Sequence, residues 1–309
     1  MKKILVIGSA NMDLSLNVYR VPDKGETVVD NGGVAYTPGG KGANAAAAFA
    51  KLGADVTLCT KLGQDTHGQQ LYTYYKSLGL DTSAIRVDRD LPTGFATVIK
   101  EADGENRIIC YPGANAQISG EHMMEAFDKS NPDALFVGFE ISFDSALTAA
   151  RIAEVKGVPI FVDAAPASKK HSLEALPYME IFSPNEAETF EYTGIMPTGQ
   201  DSSLRAALAL WRRVRCKYLV IKQGARGCSI YDGKHFDMIP AERVENVVDT
   251  TAAGDTFTAA LTLAYLSSGD IKAAAKYASY AAAITVSREG ATGSVPTAEE
   301  VKDFIISRS

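Results

Sequence analysis

Short apolar runs alternate with amphipathic stretches along most of this chain, and no other feature of the sequence constrains the fold as strongly. Runs this short and rich in Val and Ile suit strands that are buried on both faces. They lie at residues 4–8, 56–60, 134–138, 158–163, 181–183, 218–222 and 228–231. Helical patterns cover residues 43–52, 67–78, 144–156, 201–215, 256–267, 271–288 and 297–306. The alternation predicts an α/β fold with a mainly parallel central sheet, flanked by helices on both faces, and a ligand crevice beyond the carboxyl ends of its strands.

Two segments break this rhythm. Residues 14–36 and 93–112 alternate apolar and polar residues around Gly- and Asp-rich turns, which is typical of antiparallel hairpins. Two such hairpins can pair into a small separate sheet. We therefore expect one α/β domain over residues 1–309, with a β-sheet lid built from these two segments.

Composition narrows the class of partner. With 31 basic and 37 acidic residues the net charge is −6. A net negative charge does not favour binding to nucleic acid or to an anionic membrane. No apolar run reaches the roughly 18 residues that span a bilayer. Neither the histidines nor the cysteines have metal-ligand spacing, so we expect no zinc site and free, buried thiols at Cys59, Cys110, Cys216 and Cys228. These features favour a cytoplasmic protein with small-molecule ligands.

The string DTTAAGDTF, residues 249–257, opens a long helical pattern. Small residues at Ala252, Ala253 and Gly254 let a phosphate approach the backbone, and the first amides of a helix point outward at the positive end of its dipole. Asp255 lies at the edge of this anion site, where a carboxylate can take a proton from an attacking hydroxyl. An aspartate in a first helical turn can also be only a favourable partner of the dipole, and AGD alone leaves that alternative open.

The string PGGKGAN, residues 38–44, precedes an Ala-rich helical pattern. It is not a Walker A loop, because Lys41 is followed by glycine and not by Ser or Thr. Consecutive glycines, among them Gly40, have no side chains and so make the backbone accessible to a ligand. Lys41 and Asn44 add hydrogen-bond donors suited to sugar hydroxyls. Close helix packing is the alternative.

Three polar residues near predicted strand ends complete the candidates for a sugar site. Asn11 and Asp13 are two residues apart, so in an extended segment they point to the same side and can grip vicinal hydroxyls. Glu140 follows the apolar run of residues 135–139. A turn at the first pair and an exposed carboxylate at Glu140 are the alternatives.

These strings resemble the signatures of the ribokinase-like (PfkB) carbohydrate kinases, in order from residue 11 to residue 294. The resemblance implies transfer of the γ-phosphoryl group of ATP to a sugar hydroxyl. Asp255 would be the base, and the amides at Ala252, Ala253 and Gly254 would stabilise the transition state. The implied sugar contacts are Asn11, Asp13, Gly40, Lys41, Asn44, Glu140 and Asp255.

The same resemblance implies nucleotide and metal contacts. Asn185 and Glu188 match a family motif that acts on Mg²⁺ through its waters and on the phosphates. The other implied nucleotide contacts are Lys222, Gly224, Gly227, Gly254 and Ser279. The chain departs from the family at Lys222, where Thr is common, and at Ser279, where an Asn often faces adenine. A K⁺ shell, mostly of backbone carbonyls, is implied at Asp249, Thr251, Thr285, Arg288, Gly290 and Ser294.

GGKGAN, together with GAN at residues 113–115, is most similar to family members that phosphorylate the primary hydroxyl of D-ribose to ribose 5-phosphate. Fructose or another furanose is the next expectation, then nucleosides such as adenosine. Family lids form a clasp between two subunits, which implies a homodimer. Two other classes remain as alternatives. A non-catalytic sugar sensor is expected to have lost Asp255 or the glycine before it, and this chain keeps both. A nicotinamide dehydrogenase is expected to carry GxGxxG, which this chain lacks.

Overall fold

The computed structural model describes residues 1–30, 32–101 and 106–308. These residues include two β-sheets and nine α-helices. The strands are β1 (Lys3–Ile7), β2 (Asn11–Val18), β3 (Val34–Gly39), β4 (Asp55–Gly63), β5 (Ile85–Asp88), β6 (Gly94–Glu101), β7 (Asn106–Tyr111), β8 (Ala134–Gly138), β9 (Ile160–Asp163), β10 (Met179–Ser183), β11 (Cys216–Lys222), β12 (Cys228–Tyr231) and β13 (Phe236–Ile239). The helices are α1 (Lys41–Lys51), α2 (Thr66–Ser77), α3 (Gly120–Ser130), α4 (Phe143–Lys156), α5 (Glu186–Thr193), α6 (Gln200–Trp211), α7 (Ala253–Ser268), α8 (Ile271–Val286) and α9 (Ala298–Arg308).

The large sheet has nine strands in the order β13-β12-β11-β10-β9-β8-β1-β4-β5. The strands from β11 to β5 pair in parallel, and only the edge pairs β11–β12 and β12–β13 are antiparallel. The predicted mainly parallel sheet is therefore confirmed. The strands β5 and β13 and the helices α3 and α5 are absent from the predicted strand and helix patterns.

Helices cover both faces of this sheet because the side chains of its strands alternate. In β1, Ile4 and Val6 belong to an apolar core shared with α1, α7 and α8. Leu5 and Ile7 point to the opposite face and join a second core with α3, α4 and α6. All four side chains are at most 1% exposed. This is the burial pattern expected of a strand in a doubly covered parallel sheet.

The small sheet has four strands in the order β3-β2-β6-β7. Each predicted segment forms an antiparallel pair, β2 with β3 and β6 with β7, and the two pairs join through parallel β2 and β6. The predicted small lid sheet is thus confirmed. The first antiparallel pair is longer than predicted at both ends, because β2 starts at Asn11 and β3 continues to Gly39, with which Asn11 pairs. Parts of the predicted turns, residue 31 and residues 102–105, lie outside the described residues.

The prediction of buried thiols is wrong for one cysteine. Cys59, Cys216 and Cys228 are buried in the large sheet, but Cys110 is exposed. It lies on β7, an edge strand of the small sheet, where fewer neighbours cover a side chain. All four thiols are free.

The described helices were also compared with what a bilayer requires. None of them is both long and apolar enough to cross a membrane.

Candidate active site

The candidate site lies at the carboxyl ends of the central strands of the large sheet, where the strand order reverses. β4 lies on one side of β1 and β8 on the other, so the carboxyl ends of these parallel strands border a crevice of the kind that holds ligands in open α/β sheets. Ser9, Glu140 and Asp163, which end or follow β1, β8 and β9, line a cleft there. Lys41 and Asp255, at the starts of α1 and α7, line the same cleft. The fold therefore brings together residues from five separate segments.

The start of α1 lies closely against the end of β1 because glycines leave room for it. Gly40 has φ +89°, and a Cβ atom there would lie 2.9 Å from the backbone nitrogen of Asn11. A Cβ atom on Gly42 would lie only 2.6 Å from the backbone of the residue after β1. Neither position has space for a side chain. At this junction the amide of Lys41 donates to Glu140 Oε2 at 2.8 Å.

The start of α7 presents unpaired backbone donors. Ala252 precedes the helix with φ +61°, in the left-handed region. The amide of Ala253, which was predicted to stabilise the transition state, donates instead to the carbonyl of Thr250 at 3.3 Å. In contrast, the amides of Gly254 and Asp255 have no acceptor among the described residues, and a Cβ atom on Gly254 would meet nothing within 4 Å. Two free donors beside open space, at the positive end of a helix, can hold an anionic group.

The Asp255 carboxylate faces the start of α1. Its Oδ2 accepts a hydrogen bond from Asn44 Nδ2 at 3.2 Å, and Lys41 Nζ lies 3.8 Å from its Oδ1. Burial raises the pKa of Asp255 above its ordinary value, although Lys41 acts in the opposite direction. A carboxylate with a raised pKa is a stronger proton acceptor than an ordinary one. Asp255 can therefore act as a general base toward a hydroxyl held between α1 and α7.

Asp13 offers a second carboxylate near the start of β2. It lies against Gly39 of β3, where a Cβ atom would come 2.0 Å from Asp13 Oδ2. Asp13 Oδ1 is buried and has no hydrogen-bond partner among the described residues. Burial, together with the negative charge of Glu140, raises the pKa of Asp13 to about 7. A hydroxyl of a bound ligand can satisfy an unpaired buried acceptor of this kind.

Glu140 connects the end of β8 with the start of α1. Its carboxylate accepts hydrogen bonds from the Ser9 hydroxyl and from the amide of Lys41. These contacts join the segment after β8 to the segment after β1 and to the start of α1. Three of the residues predicted to contact a sugar, Lys41, Glu140 and Asp255, line the cleft. The other four are adjacent to it: Asn44 bonds to Asp255, Gly40 packs against Asn11, and the charge of Glu140 acts on Asp13.

Asp163 is a residue of the cleft that sequence reasoning missed. Its Oδ2 accepts hydrogen bonds from Lys222 Nζ at 2.6 Å and from Thr258 Oγ1 at 3.1 Å. Burial alone would raise the pKa of Asp163, but the charges of Lys222 and Lys41 outweigh it and hold the pKa below its ordinary value. Asp163 therefore stays ionised near Asp255. The available signal was an aspartate at the end of a predicted buried strand, on the ligand edge of a parallel sheet.

Asn185 and Glu188 lie at the start of α5. They form a capping box, in which the Glu188 amide donates to Asn185 Oδ1 at 2.8 Å and the Asn185 amide donates to Glu188 Oε2 at 2.7 Å. Burial, together with the charge of Asp163, raises the pKa of Glu188. A buried carboxylate near a second one suits a divalent cation, and Mg²⁺ keeps several waters, so few protein ligands suffice. Within the described ranges no group of three or more His, Cys, Asp or Glu side chains forms a metal cage.

The loop after β11 turns back beside α5. The amide of Lys222 donates to the carbonyl of Pro184 at 2.8 Å, which holds the ends of β10 and β11 side by side. Gly224 and Gly227 have φ +52° and +92°. A Cβ atom on Gly227 would lie 2.0 Å from the carbonyl oxygen of Ile239, so no other residue fits there. Residues 224–226 of the loop are exposed, and their contact with a nucleotide stays a prediction.

Ser279 of α8 is the residue predicted to face adenine. Its hydroxyl is buried and accepts a hydrogen bond from the amide of Glu242 at 2.7 Å. That contact fixes the segment after β13 against α8, and it leaves the hydroxyl proton free to be donated. The adenine contact stays a prediction.

The predicted K⁺ shell gathers where the segment before α7 meets the end of α8. Asp249 accepts hydrogen bonds from the amide of Thr251 at 2.8 Å and from the amide of Gly290 at 3.2 Å. The Asp249 carboxylate therefore joins the segment before α7 to the segment after α8, and the K⁺ site stays a prediction.

Three other members of that shell use their side chains elsewhere. Thr285 Oγ1 donates to a carbonyl one turn earlier in α8 at 3.0 Å, and Ser294 Oγ donates to a carbonyl three residues earlier at 2.7 Å. Arg288 pairs with Glu300 at 2.7 Å. The Arg288 guanidinium cannot coordinate a cation, so Arg288 could contribute only its backbone carbonyl.

Comparison with known proteins places this site in context. Residues 1–298 match the family described as pfkB family carbohydrate kinase. The chain is 35% identical over 308 residues to the bifunctional ribokinase/ribose-5-phosphate isomerase A of Fructilactobacillus sanfranciscensis, covering 99% of this chain but only 56% of that protein. It is 33% identical to the ribokinase of Bacillus subtilis, covering 99% of this chain and all of the relative. Among solved structures, Arabidopsis thaliana ribokinase complexed with ribose and ATP has a TM-score of 0.86 and 28% identity, with 98% of each chain covered.

Proposed function

Because this chain belongs to the pfkB family of carbohydrate kinases, we propose that it transfers the γ-phosphoryl group of ATP to the primary hydroxyl of D-ribose, giving ribose 5-phosphate and ADP. One observation carries the proposal. The buried Asp255 carboxylate lies next to two free amides at the start of α7 and faces Asn44 and Lys41 of α1. A proton acceptor, an anion site and donors for a sugar thus meet at one point.

The proposed reaction follows from these positions. The sugar lies against Asn11, Asp13 and Glu140, and its primary hydroxyl points to Asp255. The hydroxyl oxygen forms a bond to the γ-phosphorus while the bond from that phosphorus to the β,γ-bridging oxygen breaks, and the hydroxyl proton passes to Asp255. The amides of Gly254 and Asp255, with the Lys41 ammonium, stabilise the negative charge on the transferred group.

Two cations belong to the proposal. Mg²⁺, when bound, neutralises charge on the phosphates, and Asn185 and Glu188 would hold it through its waters. A K⁺ ion would lie between the Asp249 carboxylate and the carbonyls of the loop that contains Gly290. Adenine would lie near Ser279, with Lys222, Gly224 and Gly227 along the phosphates.

Ribose is the preferred substrate because the relatives named above are called ribokinases and their identity to this chain extends over nearly all of it. Fructose or another furanose is the second candidate, and adenosine the third. An enzyme that consumes ATP in sugar metabolism fits the cytoplasmic location expected from the sequence.

We also propose that two chains associate through the lid. The edge strands β3 and β7 expose apolar side chains at 53–67% of their surface, which a second lid could cover. These side chains are Val34, Tyr36, Ile108, Ile109 and Tyr111. A molar mass of one chain, measured by light scattering at micromolar concentration, would reject the dimer.

A coupled ADP assay tests the function. We expect rapid ADP formation with D-ribose, slower formation with 2-deoxyribose, fructose, tagatose or adenosine, and a dependence on Mg²⁺. Adding K⁺ to a sodium buffer should raise the rate. A sugar sensor would bind ribose without releasing ADP, and a dehydrogenase would bind NAD. Either result would reject the proposal.

A further inference from the structure

Asn115 lies fully buried in a 3₁₀ turn, Gly113–Gln117, and contacts the residues that begin β2. The amide of Ala10 donates to Asn115 Oδ1 at 3.0 Å, and Thr60 Oγ1 donates to the same oxygen at 3.3 Å. Because a backbone N–H can only donate, the contact with Ala10 identifies which atom of the Asn115 amide is the oxygen. The orientation of Asn115 is therefore fixed by the backbone.

Asn115 in turn fixes the orientation of Asn11. Asn115 Nδ2 donates to the carbonyl of Ala10 at 3.2 Å and to Asn11 Oδ1 at 2.8 Å. A side-chain NH₂ group needs an acceptor, so the atom of Asn11 that faces it is the oxygen, and Asn11 Nδ2 points away from Asn115. On that side, the protein atom within hydrogen-bond reach of Asn11 Nδ2 among the described residues is the thiol sulfur of Cys110, at 3.8 Å, which is a weak acceptor.

The lid closes over this pair of amides. Gly94 is the first residue of β6, and a Cβ atom there would lie 2.1 Å from Asn115 Nδ2 and 2.3 Å from Asn11 Oδ1. The backbone of the lid strand therefore packs directly on the hydrogen bond between the two side chains. Asn11 is itself only 2% exposed, so its side chain is held between Asn115 and the lid strand, and its hydrogen bond with Asn115 decides which way the amide faces.

We propose that Asn115 is a positioning residue of the sugar site, which holds Asn11 so that its Nδ2 is the group offered to the substrate. The inference rests on the proposed function. It assigns which residue of the sugar site donates a hydrogen bond to the sugar and which accepts one. Asn11 then requires an acceptor oxygen on the sugar, while the unpaired Oδ1 of Asp13 requires a hydroxyl hydrogen. Adjacent sugar hydroxyls meet both demands, because each can accept one hydrogen bond and donate another.

Asn115→Asp is the sharpest test, since it keeps the size of the side chain and the oxygen that Ala10 requires. The NH₂ group becomes an oxygen that faces Asn11 Oδ1, and two facing oxygens repel, so Asn11 turns over and offers its oxygen to the sugar. We expect the Kd of ribose, measured by titration calorimetry, to rise roughly 10- to 100-fold, because a hydrogen bond to the sugar is replaced by an unfavourable contact. The Kd of ATP should change less than about twofold.

Two further variants separate positioning from folding. Thr60→Val removes the side-chain donor to Asn115 Oδ1 but leaves the hydrogen bonds of Asn115 with Ala10 and Asn11 intact. It should lower the Tm and leave the Kd of ribose unchanged. Asn115→Ala removes the donor without adding an oxygen, and we expect a smaller rise in the Kd of ribose; this variant decides the question if Asn115→Asp does not fold.

Unchanged ribose affinity in both Asn115 variants would overturn the inference. So would parallel losses of ribose and ATP affinity, because these would reduce Asn115 to a structural role. Failure of the proposed function is recognised separately, since the native enzyme would then release no ADP with ribose. The positioning effect is read only from the ratio of variant to native affinity for the same sugar.

Discussion

The ammonium of Lys222 lies 2.6 Å from the carboxylate of Asp163, inside the cleft and one helical turn beyond the start of α7. The Lys222 and Asp163 side chains are only 12% and 6% exposed. Thr258 completes the group by donating to the same Asp163 oxygen. This buried ion pair fixes one negative and one positive charge beside Asp255 before any nucleotide binds.

Removing one partner of this pair should be costly. Lys222→Met leaves the Asp163 charge buried and uncompensated, so we expect the free energy of unfolding in urea to fall by about 3–5 kcal/mol. The double variant Asp163→Asn/Lys222→Met should recover most of that loss, because neither side chain is then charged. As a control, Lys272→Met removes an exposed ion pair with Asp237 and should change stability little. A Lys222→Met protein as stable as the native one would show that Asp163 is not held by Lys222.

Substitution of Gly254 should separate stability from activity. A methyl group there meets no atom of the described residues within 4 Å, but it projects into the space beside the free amides of α7. Gly254→Ala should leave stability unchanged or raise it by up to about 1 kcal/mol, since alanine favours a helix. We expect kcat/KM for ATP to fall at least about tenfold, because the phosphate can no longer approach the backbone.

Gly199 provides the matched control for that substitution. It lies at the start of another helix, immediately before α6, and a Cβ atom there meets nothing within 4 Å among the described residues. Gly199→Ala should leave kcat/KM for ATP unchanged. Equal losses in the two variants would contradict an anion site at Gly254.

Ribose affinity should depend on pH through Asp13. The pKa of this carboxyl group is about 7 in the free protein, and a sugar hydroxyl that donates to the ionised form lowers it. Binding then releases a proton, so the affinity should increase about tenfold per pH unit below pH 7 and level off above it. Titration calorimetry between pH 5.5 and 8, in buffers of different ionisation enthalpy, measures both effects.

Asp13→Asn is the control for the pH experiment. This variant should bind ribose more weakly than the native protein, and its affinity should not vary with pH over this range. A native protein whose ribose affinity is flat between pH 5.5 and 7 would show that Asp13 does not meet the sugar as a carboxylate.

Features encoded within a few neighbouring residues were predictable. The period of apolar residues identified most strands of the large sheet, and the glycine-rich strings located the starts of α1 and α7, which the fold brings to one cleft. Features that depend on distant partners were not. Nothing near Asp163 indicates that Lys222 will neutralise it, and nothing near Asn115 indicates that it will meet Asn11. The exposure of Cys110 likewise depends on which strand forms the edge of the small sheet.

The most direct measurement compares Asp255→Asn with the native enzyme in single-turnover phosphorylation of ribose and in ribose binding. The amide keeps the shape of the side chain but cannot accept the hydroxyl proton. We expect the single-turnover rate constant, and with it kcat, to fall roughly 10²- to 10⁴-fold. The Kd of ribose should stay within about threefold of the native value. A variant that retains native kcat would contradict the assignment of Asp255 as the base, and with it the account of this cleft.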